Sequence, residues 1–401
     1  MSRPATSGPL LSGLDRLLRN PALLGSYRGR RIGLLAHAAS VTRDLDHAID
    51  ALRDAGLDVV RLFGPEHGLR GEAQMMEAIN SAIDPLSGLP VVSLYGADAT
   101  SLKPTPDQIA DLDALFVDVQ DVGSRYYTYA CSAMLVAEVC LDAGVPVVVL
   151  DRPNPLGARL EGPALEPGFE SFVGMIPLPT RHGLTVGEYL RFAFAGRDLD
   201  EASLTVIPCD GYSPTAYLDE CDYRWALPSP NMPSVATAVV YPGQCLLEAT
   251  TISEGRGTTR PFELFGAPWI EARRLRQELQ RLPLPGVAWR EVSFIPTFDK
   301  FVGERCEGLQ IHVTDRASYL PVLTSAVLIT TVRRLFPASF GWRPGAYEFV
   351  RDIPAIDLLG GSPRLRELIE REASLDELAA WSRTPAETAQ RCAAARLPAY
   401  G

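Results

Sequence analysis

The sequence is poor in the groups that many binding chemistries need. It has five histidines in 401 residues and no H-E-x-x-H pair, which leaves a weak basis for a zinc hydrolase. No G-x-x-x-x-G-K-[ST] occurs. Gly64, Gly68 and Gly71 are spaced G-x-x-x-G-x-x-G instead of G-x-G-x-x-G, so a bound nucleotide is not required. A G-x-S-x-G nucleophile elbow is also missing. Positive charge is in deficit: 38 Lys and Arg against 49 Asp and Glu give a formal charge of −11. That excludes nucleic acid and anionic membrane as the natural main partners, since both need clustered cations. No apolar run reaches membrane-spanning length, so no membrane insertion is expected. The N-terminal "MSRPATSGPLLSGLDRLL" lacks the apolar core and cleavage site of a secretory signal. The seven cysteines are scattered without a C-x-x-C, which fits reduced, buried thiols. These absences predict a soluble cytoplasmic protein with no metal and no cofactor.

What is present is a regular alternation. The runs "RIGLLA" (31–36), "DVVRLF" (58–63), "LPVVSL" (89–94), "ALFVDV" (114–119) and "PVVVLD" (146–151) are short, β-branched-rich and bounded by turn residues. Helix-like segments lie between them, including 45–56 and 126–144, each ending in a glycine suited to a helix C-terminus. A helix over 185–196, with Thr185 as its N-cap, and a strand over 203–209 extend the pattern. Such alternation predicts an α/β protein built on a mostly parallel, Rossmann-like sheet with helices on both faces. The length suggests two domains. From Pro228 the texture changes: "PSPNMPSVATAVVYPG" reads as a proline-rich loop, and "EATTISEGRGTTRPFELFGAPW" is polar and glycine-rich. Helices over 270–281 and 320–335, a strand over 309–315 and a helical pair over 363–383 follow. The expected division is a Rossmann-like domain over 1–250 and a smaller α+β domain over 251–401.

In open α/β sheets, ligands bind outside the carboxyl ends of the strands, so the residues that follow each run carry the information. The first run ends at His37, the second enters Pro65-Glu66-His67-Gly68-Leu69-Arg70, the fourth reaches Asp118-Val119-Gln120-Asp121, and the fifth reaches Asp151-Arg152-Pro153-Asn154. Each group also has a plainer role: Glu66 and Asp121 as helix caps, Asp151-Arg152 as a local ion pair, and Arg181-His182 as loop supports ahead of the Thr185 cap. "SEGRGTTR" (253–260) is a candidate anion nest with Arg256 and Arg260. A rim of carboxylates with amides and arginines beside them is the inventory of a glycoside hydrolase. One carboxylic acid protonates the leaving oxygen while a second carboxylate attacks or activates water.

The ordered strings "LFGPEHGLRG", "FVDVQDVGSRYYTY", "VVLDRPNPLG", "PTRHGLTVGE", "PSPNMP", "YPG" and "SEGRGTTRPFELFGAPWI", followed by "HVTDR" (312–316), resemble the bacterial exo-β-N-acetylmuramidases, a family once known only as a domain of unknown function. The resemblance implies a Rossmann-like N-terminal domain, a smaller C-terminal domain and an active site in the cleft between them. It also implies release of N-acetylmuramic acid from the non-reducing end of peptidoglycan fragments, a small saccharide or muropeptide substrate, and no metal or nucleotide. By motif, Glu66 becomes the candidate catalytic acid, with His67 and Arg70 as neighbours and its carboxylate partner open among Asp118, Asp121 and Glu254. Gln120, Arg152, Asn154, His182 and Asn231 are expected to bind substrate, and Arg256 and Arg260 to close the cleft. One of these arginines, or Arg181, is expected to pair with the lactyl carboxylate that distinguishes muramic acid. The sequence departs from the family at Met75-Met76 and at His37. The Met75-Met76 departure is the support for a rival reading, a non-catalytic sugar-binding protein. A metal-dependent amidohydrolase using His37, His67 and Asp118 is the third.

Overall fold

Six parallel strands and one short antiparallel edge strand form the largest sheet. In chain order β1 (Arg31–Ala36), β2 (Asp58–Gly64), β3 (Ala82–Ile83), β4 (Pro90–Ser93), β5 (Ala114–Asp118) and β6 (Val147–Leu150) come first. A hairpin of β7 (Glu161–Ala164) and β8 (Pro179–Arg181) then precedes β9 (Leu204–Ile207), which completes the sheet. The computed structural model describes residues 8–71, 73–74, 77–78, 81–200 and 202–400. Met75 and Met76, read from the sequence as a departure from the family pattern, lie outside these residues.

The strand order is β3-β4-β2-β1-β5-β6-β9, and only β3 runs antiparallel to its neighbour. Leaving out β3, the strands read third, second, first, fourth, fifth, sixth. This is the doubly wound order, in which the chain reverses direction of growth between β1 and β5 and opens a crevice at their carboxyl ends. Strands β5 and β6 are buried along their whole length, as expected where both faces of a parallel sheet are covered. One face packs on helices Gly13–Arg19 and Ala48–Asp54, through Leu14, Leu17, Ile49 and Leu52. The other packs on helices Tyr129–Asp142 and Val186–Ala193, through Leu135, Val136, Val186 and Leu190. Thr185 caps the latter helix in a reciprocal box with Glu188, as the sequence predicts.

The proline-rich stretch departs from its expected loop character. Residues Val235–Gln244 form a helix capped by Ser234, with Pro242 in its last turn. Two tertiary contacts account for it. The Tyr126 hydroxyl donates to the Pro242 carbonyl, and Gly243 sits where any Cβ would collide with the Pro321 carbonyl. The helix therefore crosses the buried helix Pro321–Leu335 at backbone contact distance, a placement available only to glycine.

The smaller C-terminal part carries an antiparallel sheet of β10 (Leu264–Ala267), β11 (Val287–Phe294) and β12 (Cys306–Val313), ordered β10-β12-β11. Helix Ala272–Gln280 packs on this sheet. The end of the chain returns to the large sheet. Glu188 accepts from Leu397 N–H at 3.0 Å and from Arg396 at 3.0 Å, and the Tyr400 hydroxyl donates to Asp151 at 2.6 Å. Among the described residues no helix is long and apolar enough to cross a membrane, and all seven cysteines are free thiols.

Candidate active site

The loop after β2 makes a tight turn closed by the Gly68 N–H on the Pro65 carbonyl at 2.9 Å. His67 and Gly68 both take left-handed backbone (φ 67° and 81°). For histidine this conformation is sparsely populated, and it persists where surrounding contacts over-determine it. Here the His67 Nδ1 is 2.9 Å from the Ala73 carbonyl, which holds the ring. Thr128 donates to Glu66 Oε2 at 2.7 Å.

Glu66 opens into a cavity lined by aromatic rings. Tyr127 stacks edge-on against Tyr129 at 5.0 Å and Tyr241 at 5.6 Å, and Tyr241 meets Phe262 at 4.8 Å. Such rings offer apolar faces to a sugar's C–H surface and polar rims to its hydroxyls. His67, Asn231 and Arg256 also line the cavity, together with two carboxylates that the sequence reading passed over, Glu248 and Glu348. Glu248 is engaged: Arg256 reaches it at 2.7 Å and the Tyr347 hydroxyl at 2.7 Å.

Glu348 arrives on an unusual turn. Tyr347 and Val350 exchange both backbone hydrogen bonds at 2.9 Å, leaving Glu348 and Phe349 between them with φ of 45° and 69°. Two consecutive left-handed residues at a two-residue hairpin tip normally call for Asn-Gly, and each costs about 1–3 kcal/mol for other residues. Phe349 is anchored on Tyr95 at 5.4 Å, and Tyr95 in turn on Phe172 at 5.7 Å. The Tyr95 hydroxyl donates to Glu348 Oε2 at 2.9 Å. Glu66 and Glu348 are 5% and 4% exposed. Burial and the nearby Glu66 charge raise the Glu348 carboxyl well above the ordinary range.

The remaining sequence candidates lie outside the lining. Asp118 is held by Arg152 in a two-pronged ion pair at 2.6 and 2.9 Å, with both side chains buried. Burial works against both charges and raises the Asp118 carboxyl despite Arg152, while at Arg152 the Asp118 charge outweighs burial and keeps the guanidinium charged. Gln120 donates its amide to the Asp121 and Pro153 carbonyls. Asp121 accepts from the N–H groups of Gly123 at 2.7 Å and Ala130 at 3.2 Å, so it caps the helix Tyr129–Asp142. Burial pushes its carboxyl up to about 7. Asn154 bridges the Leu184 carbonyl and the Leu156 N–H. Arg70 forks onto Asp84 at 3.1 and 2.8 Å. Although burial raises Asp84, the Arg70 and Ser87 donors bring it down to about 2.

Both fully buried histidines are neutral supports. His37 accepts from Gln120 N–H at 2.7 Å through Nε2 and faces the Pro228 carbonyl with Nδ1. His182 accepts from Leu184 N–H through Nδ1. Burial lowers each to about 3. With both ring nitrogens of His37 occupied and Asp118 bound to Arg152, the His37, His67, Asp118 set is not gathered as a metal site. Glu254 is raised by burial, but Lys300 at 2.9 Å and Arg256 at 3.2 Å outweigh it and hold the carboxyl low. Arg260, itself exposed, pairs with the buried Glu263 at 3.1 Å, so both arginines of the 253–260 segment face carboxylates. Arg181 lies in a separate groove of about 650 Å³, beside Tyr217 and Arg316.

The lining thus draws together Glu66, His67, Asn231 and Arg256, and adds Tyr126, Tyr127, Thr128, Tyr129, Glu248, Tyr347 and Glu348. The "RYYTY" cluster was visible in the sequence as an aromatic run at the start of a helix. Glu348 had one faint signal, an acid flanked by two aromatic residues.

Comparison with known proteins finds relatives over nearly the whole chain. The N-terminal model of exo-beta-N-acetylmuramidase NamZ matches residues 32–236, and the C-terminal model matches residues 239–394. The peptidoglycan beta-N-acetylmuramidase NamZ of Bacillus subtilis is 42% identical over 369 residues, spanning 92% of this chain and 86% of the relative. Two crystal structures of DUF1343 family proteins from Bacteroides fragilis are similar throughout. The first has a TM-score of 0.84 at 29% identity, covering 97% of this chain and 98% of the other. The second has a TM-score of 0.73 at 28% identity, covering 98% of each. The chain belongs to the exo-β-N-acetylmuramidase NamZ family.

Proposed function

We propose that the chain is an exo-acting glycoside hydrolase that releases N-acetylmuramic acid from the non-reducing end of peptidoglycan fragments, with Glu66 as one of its catalytic carboxyl groups. The observation that carries this reading is a pair of buried carboxyls, Glu66 and Glu348, sharing one aromatic-lined cavity. Glycoside hydrolysis needs one carboxyl that gives a proton and one that is ionised. Aromatic faces bind the ring, and His67 and Asn231 supply hydrogen bonds to its substituents. Arg256 is the guanidinium in the lining, held in place by Glu248 at 2.7 Å and Glu254 at 3.2 Å. We assign it to the lactyl carboxylate.

Two broader expectations belong to the same proposal. A division of the chain near residue 250 into a sheet domain and a closing domain is supported by a cavity lined from both sides of that point. A cytoplasmic location is supported by seven unpaired thiols, which reducing compartments preserve; cell fractionation checks it. The activity itself is tested by incubating the protein with a chromogenic β-N-acetylmuramide and with the MurNAc–GlcNAc disaccharide. Absence of release from both sinks the proposal.

A further inference from the structure

We propose that Glu348 is the proton donor of the hydrolysis and that Glu66 is the ionised carboxylate working with it; this rests on the glycosidase reading above. The sequence alone directed the donor role to Glu66. The geometry redistributes the two roles between opposite walls of the cavity, one on the sheet rim and one on the strained turn at 347–350.

The groups facing Glu348 are Glu66, Glu248, Tyr95 and Arg256. Tyr95 donates to it, and Arg256 favours its charge, but Arg256 is already engaged by Glu248 at 2.7 Å and approaches Glu254 at 3.2 Å. Glu66 and Glu348 line the same cavity, and both are buried in it. Like charges so placed do not both ionise near neutral pH, and the pair keeps one proton. Burial and the Glu66 charge both disfavour ionised Glu348, so the proton rests there. Titratable pairs pushed apart in this way mark the acid and the base of a site. The backbone strain at Glu348 and Phe349 fits the same role, because a left-handed glutamate is retained where its side chain has to reach a set position.

In the reaction the bond between the anomeric carbon and the leaving oxygen breaks, its electron pair going to that oxygen. The oxygen takes the Glu348 proton and departs as an alcohol. Water supplies hydroxyl to the anomeric carbon, and its remaining proton goes to the carboxyl pair, which ends with the one proton it began with.

The test compares leaving groups. The disaccharide needs a proton on its departing oxygen, whereas 2,4-dinitrophenolate leaves without one. Glu348→Gln keeps the side chain's size and its acceptor for Tyr95. It is expected to lose roughly 10²–10⁴-fold in kcat on the disaccharide and to stay within about tenfold of wild type on the dinitrophenyl muramide. Glu66→Gln is expected to lose activity on both. Wild type loses disaccharide activity as pH rises through the donor's titration, and this basic limb is expected to be missing for Glu348→Gln on the dinitrophenyl substrate. Disaccharide turnover by Glu348→Gln within threefold of wild type overturns the proposal. So does an equal loss on both substrates in a variant that still unfolds cooperatively and binds N-acetylmuramic acid. Should Glu348→Gln fail to fold, Tyr95→Phe decides. Removing the hydroxyl that favours ionised Glu348 should move the basic limb to higher pH, and an unmoved limb overturns the assignment. Inactivity of wild type on both substrates is a different result, which removes the glycosidase reading itself.

Discussion

Two sets of carboxylates lie at the same end of the molecule and differ in what surrounds them. Asp118 and Asp121, at the end of β5, are saturated by donors: a buried guanidinium for one and two backbone N–H groups for the other. Glu66 and Glu348 each receive one hydroxyl and face a like charge. A carboxylate fully supplied with donors has been committed to holding the fold. One supplied by a single hydroxyl beside another carboxyl has lone pairs left for a substrate. Residue type and position on the rim do not separate the two sets; the donor inventory does.

The comparison breaks or sharpens through four measurements, ordered by expected size. Glu66→Gln should lower kcat on a chromogenic muramide by roughly 10²–10⁴-fold, with the unfolding midpoint nearly unchanged. Activity within threefold of wild type would put Glu66 with the structural set. Asp118→Asn should do the reverse. Leaving Arg152 buried without its counter-charge costs about 3–5 kcal/mol, read in urea unfolding, and a fully stable Asp118→Asn would erase the distinction drawn here.

Asp121 allows a test by pH. Its folded carboxyl titrates at about 7, above the unfolded value of about 3.9. The folded state therefore binds more protons across that window, and stability from this group is present at low pH and lost as pH rises towards 7. Asp121→Asn removes the titration, so relative to wild type it should gain on the order of 3 kcal/mol between pH 4 and pH 7 and change little above. Stability curves that stay parallel from pH 4 to 8 contradict that burial. The smallest effect concerns specificity. Arg256→Lys should cut the preference for a muramide over the matching glucosaminide by about 10–100-fold, the worth of a charged hydrogen-bonded pair. An unchanged ratio moves lactyl recognition elsewhere.

Much of the architecture was legible because burial on both faces of a parallel sheet writes uninterrupted β-branched runs, as in Val147–Leu150 and Ala114–Asp118. The Thr185 cap was legible for a similar local reason, since its partner Glu188 is three residues away. The helix Val235–Gln244 was not, because its prolines and glycine read locally as breakers while its reasons lie at Tyr126 and Pro321. In the site, Glu66 was legible because it follows a strand directly. Arg70, Arg152 and Arg181 stand in equally suggestive strings, yet two are paired with Asp84 and Asp118 and the third faces a separate groove.

By itself, then, the sequence determined the doubly wound sheet, the family and the loop that carries Glu66, since strand periodicity and caps are written within a few residues. Tertiary structure alone decided which carboxyl stands with Glu66. Glu348 lies 282 positions further along the chain, on a turn whose backbone no local preference favours. Packing of Phe349 on Tyr95, the hydrogen bond from Tyr95 and the Tyr347 hydroxyl on Glu248 hold it at the cavity. Two carboxyls so distant in sequence meet in one cavity only through their surroundings, and those surroundings exist only in the folded chain.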